Sequence, residues 1–222
     1  MKIIDLTRCI TEDMPMYPGT NPPKLNVAFC CEEDGFVETL MTFYSHTGTH
    51  IDAPAHISQK GLSLDKYPIE HFIGKALIID CRSLKSGEKI TMHFLESKGD
   101  LLLKVEFILF FTGHCAQWGK LEYFQNYPIL SNDVIEWINQ HKLKGIGIDA
   151  PSFDPVFTAN LENGAGYLHI HHAILNTQKT LLIENLCNLE AIGYELFLLF
   201  ALPIFTLNAD GAPARVVAVI NE

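Results

Sequence analysis

The feature that most restricts the fold is a series of short, unbroken apolar runs. ALIID (76–80), FILFF (107–111), GIGID (145–149) and TLLIE (180–184) do not alternate polar with apolar residues. A strand with one face in water alternates, whereas an unbroken run marks a strand covered on both faces. Strands are predicted at residues 3–6, 25–30, 37–44, 76–81, 106–112, 145–149, 180–184 and 214–220. The apolar run 196–207, interrupted by Pro203, reads as a further buried strand or core segment.

Helices are fewer. Ser131-Asn132-Asp133 is a cap for a helix with Val134, Ile135 and Ile138 on its apolar face, ending near Lys142. Thr91 caps a second through Phe94 and Leu95, and a short one is expected within 60–73, near Leu64 and Phe72. Turn residues punctuate the chain at 15–23, Ser86-Gly87, Asn163-Gly164 and Asp210-Gly211. The expectation is an α/β fold, rich in sheet, with one domain over residues 1–222.

Composition narrows the function. A net charge of −10 without any basic run argues against a nucleic-acid partner. The longest apolar run is well short of the ~20 residues that span a membrane. The start, MKIIDLTRCITEDMP, does not read as a secretory signal, because its apolar run is short and acids follow. With no C-x-x-C pair among six cysteines, reduced thiols and a cytoplasmic location are expected.

Chemistry is concentrated in HTGTHIDAPAH, residues 46–56, where His46, His50, Asp52 and His56 stand at spacings of four, two and four. Imidazole and carboxylate are the usual ligands of zinc, manganese and iron. In an extended strand His46 and His50 would be ~13 Å apart, too far for donors that each sit about 2 Å from one ion. Gly48, two threonines and Pro54 disfavour a regular helix. The spacing therefore predicts a tight turn or single helical turn at Gly48, letting His46, His50 and Asp52 share an ion. His56 is either a fourth ligand or a proton carrier beside the metal. Downstream, HIHH (169–172) precedes Glu184, which closes the apolar run Leu181-Leu182-Ile183. A carboxylate there needs a partner or a cation.

These residues resemble a known family. HTGTHIDAPAH resembles the H-x-G-T-H-x-D-x-P-x-H signature of the cyclase-like metal-dependent hydrolases, which include bacterial kynurenine formamidases and isatin hydrolases. DLT…MPMYPG resembles the family's D-L-[ST]…P-x-[YW]-P-G opening, GIDAPSFDP its G-x-D-x-x-S-x-D-P segment, and HHAILNTQKTLLIENL its H…E-N-L segment. The resemblance implies a swivelling β/β/α domain with a mixed sheet, in homodimers or homotetramers. It implies two divalent ions, zinc or manganese. His46, His50 and Asp52 would hold the first, while Asp52, His172 and Glu184 would hold the second. His172 is chosen from HIHH for its twelve-residue spacing to Glu184. His56 matches the catalytic acid/base.

The implied reaction is hydrolysis of a small amide, with N-formylkynurenine, in tryptophan catabolism, as the leading substrate. Cyclic amides such as isatin, and lactones or esters, are the alternatives within enzymes. A metal- or ligand-binding protein is the alternative outside them; His56 argues for catalysis, since binding alone needs no proton carrier. Tyr17, in the Tyr17-Pro18-Gly19-Thr20 turn, can stack on an aromatic substrate. Phe153 is the expected pocket wall, among Phe36, Phe43, Tyr44, Phe157 and Tyr167 as further apolar surface. His114 caps a strand or touches substrate, and a Cys115 nucleophile is not needed beside a metal.

Overall fold

The computed structural model describes residues 1–141, 143–156, 168–177, 179–193 and 196–220. Phe157, Tyr167 and the Asn163-Gly164 turn lie outside these residues. Among the described residues there are twelve strands: β1 Lys2–Asp5, β2 Lys24–Phe29, β3 Glu38–Thr42, β4 His50–Asp52, β5 Ile73–Asp80, β6 Lys89–Ile90, β7 Phe107–Phe111, β8 Ile129–Leu130, β9 Gly145–Ile148, β10 Leu181–Glu184, β11 Leu196–Pro203 and β12 Gly211–Ile220. The helices are α1 Cys31–Asp34, α2 Met92–Glu96, α3 Asn132–Gln140 and α4 His169–Leu175, with several single turns of 3₁₀ helix.

The four unbroken apolar runs lie side by side. β5, β7, β9 and β10 form consecutive parallel pairs. β11 and β12 continue the sheet antiparallel from β5, and β4 pairs with both β10 and β12. The seven strands thereby close into a barrel-like sheet, with β1 added along β12. Closure removes free edges from the centre of the sheet.

Period-two alternation divides the apolar runs between two cores. Phe107, Leu109 and Phe111 of β7 join Ile51, Ile183, Leu199 and Val216 in the barrel interior. Ile108 and Phe110 face the other way, with Ile146, Ile148 and Leu182, against Val134 and Ile138 of α3 and Ile174 of α4. The glycines of GIGID have a packing reason. A Cβ on Gly147 would lie 2.6 Å from Leu109 Cδ2 and 2.7 Å from Leu186 Cδ1, so those side chains fill the place its own would take.

Each of the eight predicted strands is present, with ends shifted by a few residues. Ser131 precedes α3 as expected, but its hydroxyl donates to the Ile90 carbonyl rather than receiving a helix amide. β4 was not predicted, because three residues reading His-Ile-Asp carry no apolar run. Apart from the barrel, β2 and β3 form a two-stranded hairpin.

Candidate metal centre

β4 supplies the centre of the site. Ile51 points into the barrel interior, so His50 and Asp52 project from the opposite face. Register then brings the rest together: Glu184 lies opposite His50, and Gly211 lies opposite Asp52. The turn before β4 pivots at Gly48, where φ is +66°, a left-handed conformation that glycine adopts without strain. It folds His46 back over the strand, as the spacing predicted.

His46 Nδ1 is 2.5 Å from Asp52 Oδ1, and His50 Nε2 is 3.2 Å from the same oxygen. The other oxygen, Oδ2, is 3.2 Å from His171 Nε2, which also lies 3.3 Å from Glu184 Oε1. Glu184 Oε2 is 3.4 Å from His50 Nε2. His46, His50 and Asp52 offer donor atoms within 4.8 Å of one another, as do Asp52, His171 and Glu184. Apart from His46, which is part-exposed, all these residues are buried.

The outer nitrogens are engaged elsewhere. His50 Nδ1–H donates to the Gly48 carbonyl at 2.8 Å. His171 Nδ1–H donates to Asp154 Oδ2 at 2.7 Å, and the same carboxylate accepts the Ile170 and His171 amides. In both rings Nε2 is therefore the nitrogen turned inward. Glu184 Oε1 accepts the Phe153 amide at 2.8 Å, and Asn185 donates to the Gly48 carbonyl while accepting the Tyr123 hydroxyl.

Electrostatics point the same way. Burial, the largest single influence, pushes the His46 pKa down, but the Asp52 charge together with hydrogen bonds to Asp210 and Asp52 outweighs it and raises the value to about 8. The same contest holds His50 at about 10, with Asp52 and Glu184 opposing burial. His171 is raised well above its usual range, and Asp52 is driven far down by His46 and His50 against its own burial. Two buried carboxylates thus draw positive charge onto the ring nitrogens. A divalent cation meets the same demand, and a donor set of imidazole and carboxylate fits one.

The cluster forms the floor of a cavity of about 370 Å³. Tyr17, Tyr44, Trp118 and Phe124 line it, with His56 and Asp210 at the polar side. Tyr17 meets Phe124 edge to face, with ring centroids 6.4 Å apart. The His56 ring lies 4.0 Å from His46 and 5.9 Å from His171, centroid to centroid. Burial, against a partial pull from Asp52, lowers its pKa and favours neutral imidazole.

Two expectations need correction. His171, not His172, meets Asp52 and Glu184; His172 is exposed on α4. A twelve-residue spacing says nothing about which way a helical side chain points. The buried face of α4 is marked by Ile170, Ile174 and Leu175, and His171 lies three and four residues before the last two, on the same face. Reading HIHHAIL with that period would have selected it. Phe153 is not a pocket wall. Its ring is fully buried in the core against Phe110, and only its amide reaches the site.

Tyr17 and His56 both line the cavity. His114 lies outside the cavity lining, its Nε2 2.8 Å from the Tyr123 carbonyl, and burial pushes the Cys115 thiol up to about 12. Asp154 and Asp210 were missed, the first inside a recognised segment with no role assigned, the second read only as a turn.

A family model described as "Putative cyclase" matches residues 4–155. Kynurenine formamidase of Bacillus cereus is 31% identical over 218 residues, covering 96% of this chain and 95% of that protein. Isatin hydrolase A from Labrenzia aggregata superposes with a TM-score of 0.84 at 22% identity, covering 100% of this chain and 94% of the other. A structure described as a predicted metal-dependent hydrolase, from Bacillus stearothermophilus, gives 0.73 at 24% identity, covering 98% and 97%. At these identities the two structural likenesses establish the shared fold.

Proposed function

This chain belongs to the cyclase family, and on that premise we propose that it is a metal-dependent hydrolase of a small aromatic amide, with N-formylkynurenine as the leading substrate. The observation that carries this reading is the convergence of three imidazoles and two carboxylates on the floor of one aromatic-walled cavity. His46, His50 and Asp52 would hold one zinc or manganese ion, and Asp52, His171 and Glu184 a second. The division of Asp52 between Oδ1 and Oδ2 contacts supports two ions over one.

When bound, such ions lower the pKa of a water molecule and polarise the scissile carbonyl. His56 accepts the proton released from the attacking water and returns it to the leaving nitrogen. The aromatic walls stack on the aryl ring and orient its amide toward the floor. Asp154 and the Gly48 carbonyl fix the tautomers of His171 and His50, so neither ring must reorient during turnover.

A homodimer or homotetramer has support in the β2–β3 hairpin. Val27, Phe29, Val37, Leu40 and Met41 are all exposed there, and exposed apolar side chains gathered on one element fit an interface between copies of the chain.

The experiment is a comparison of metal-loaded protein on N-formyl-L-kynurenine and on isatin. Faster hydrolysis of the formamide supports the leading substrate. Turnover of isatin alone would move the assignment to cyclic amides.

A further inference from the structure

We propose that Asp210 and Gly211 form a seat that positions the His46 imidazole toward the metal, an inference that rests on the metal-dependent reading above. In sequence the pair is only a turn. In the structure that turn opens β12, and the pairing of Gly211 with Asp52 brings it directly beneath His46.

Two contacts define the seat. A Cβ built on Gly211 would lie 2.4 Å from His46 Cε1 and 2.9 Å from each ring nitrogen. Real Cβ atoms do not approach so closely, so any side chain at 211 displaces the ring. Gly211 is not among the glycines with positive φ. Close approach, rather than backbone conformation, is what demands glycine here. Beside it, Asp210 Oδ2 lies 3.0 Å from His46 Nε2 and accepts the Ser45 hydroxyl at 3.3 Å. With Nε2–H donating to Asp210, Nδ1 is the nitrogen that faces Asp52 Oδ1.

The arrangement repeats one made twice elsewhere in the site. His171 gives its outer nitrogen to Asp154 and His50 gives its own to the Gly48 carbonyl. An acceptor behind a ligand imidazole fixes its tautomer and plane and raises its basicity. Asp210 differs in one respect: its Oδ2 also lies 3.8 Å from His56 Nδ1, so one carboxylate borders both a ligand and the proton carrier. His46, His56 and Asp210 are close enough together to hold an ion themselves. The engagement of Oδ2 by His46 and Ser45 favours the positioning role.

The test is a calorimetric titration of chelator-stripped protein with zinc, for the wild type and for Asp210→Ala, Asp210→Asn and Gly211→Ala, with a thermal melt of each stripped protein. Asp210→Ala and Gly211→Ala should weaken zinc binding roughly 10–100-fold at unchanged stoichiometry. Asp210→Asn, whose amide oxygen still accepts from Nε2–H, should recover part of the loss. Wild-type affinity in a folded Asp210→Ala protein would overturn the proposal. So would loss of a whole equivalent of zinc in both Asp210 variants, which would make Asp210 a ligand. If Gly211→Ala does not fold, the Asp210 pair decides alone. A wild-type protein that binds no zinc or manganese would overturn the proposed function, and this inference with it.

Discussion

The Asp52 carboxylate stands between two groups of donors, with Oδ1 toward His46 and His50 and Oδ2 toward His171. The ligand assignment therefore depends on which histidine of HIHH faces inward. His171→Ala should remove bound metal, while the exposed His172→Ala should retain it, as elemental analysis of the purified variants would report. His56→Ala should keep its metal and lose turnover by a factor of order 10²; loss of metal there would make His56 a ligand. His46 also predicts a pH dependence for the chelator-stripped protein. Its pKa is raised from 6.5 to about 8, so the folded state holds this proton more tightly than the unfolded chain does. That stabilisation, at most ~2 kcal/mol, is fully present below pH 6.5 and is lost as pH rises through 8. Urea unfolding should show lower stability at pH 8.5 than at pH 6, a fall to which His50 and His171, also raised, add, and a flat response would refute it. The cluster within HTGTHIDAPAH was legible because His46, His50 and Asp52 share one turn and the strand that follows it. Asp210 was not, because its partner His46 is 164 positions away and only the β4–β12 register joins them.

Among the elements, β4 links the stability of the fold to the geometry of the site. It is three residues long, yet it closes the barrel between β10 and β12. Its middle residue, Ile51, is buried in the interior, while the residues on either side face the metal centre. Ile51→Ala should cost about 2–5 kcal/mol in chemical denaturation and leave metal stoichiometry intact, because the ligands lie on the other face. The parallel strands β5, β7, β9 and β10 were readable from their apolar runs, since burial on both faces leaves an unbroken pattern. β4 was hidden because two of its three residues, His50 and Asp52, are polar. α4 was visible as histidines but not as a helix face, for the same reason: a buried histidine occupies a position that otherwise carries the apolar period.

At the scale of the whole molecule, the closed sheet and the hairpin have separate consequences. The barrel holds residues from four distant segments in one cluster, which a single local motif cannot do. The apolar β2–β3 hairpin predicts self-association: light scattering should give a mass at least twice the 24.9 kDa of the chain, and Leu40→Lys with Met41→Lys should reduce it toward the monomer. The central claim, that this cluster is a divalent-metal centre for amide hydrolysis, is tested most directly by stripping the protein with a chelator and returning zinc or manganese stepwise while following N-formyl-L-kynurenine turnover and bound metal in the same sample. Turnover should be absent after stripping and should return in proportion to metal bound at the site, saturating when two equivalents are held. Full turnover by the stripped protein, or saturated metal binding with hydrolysis of neither the formamide nor isatin, would contradict it.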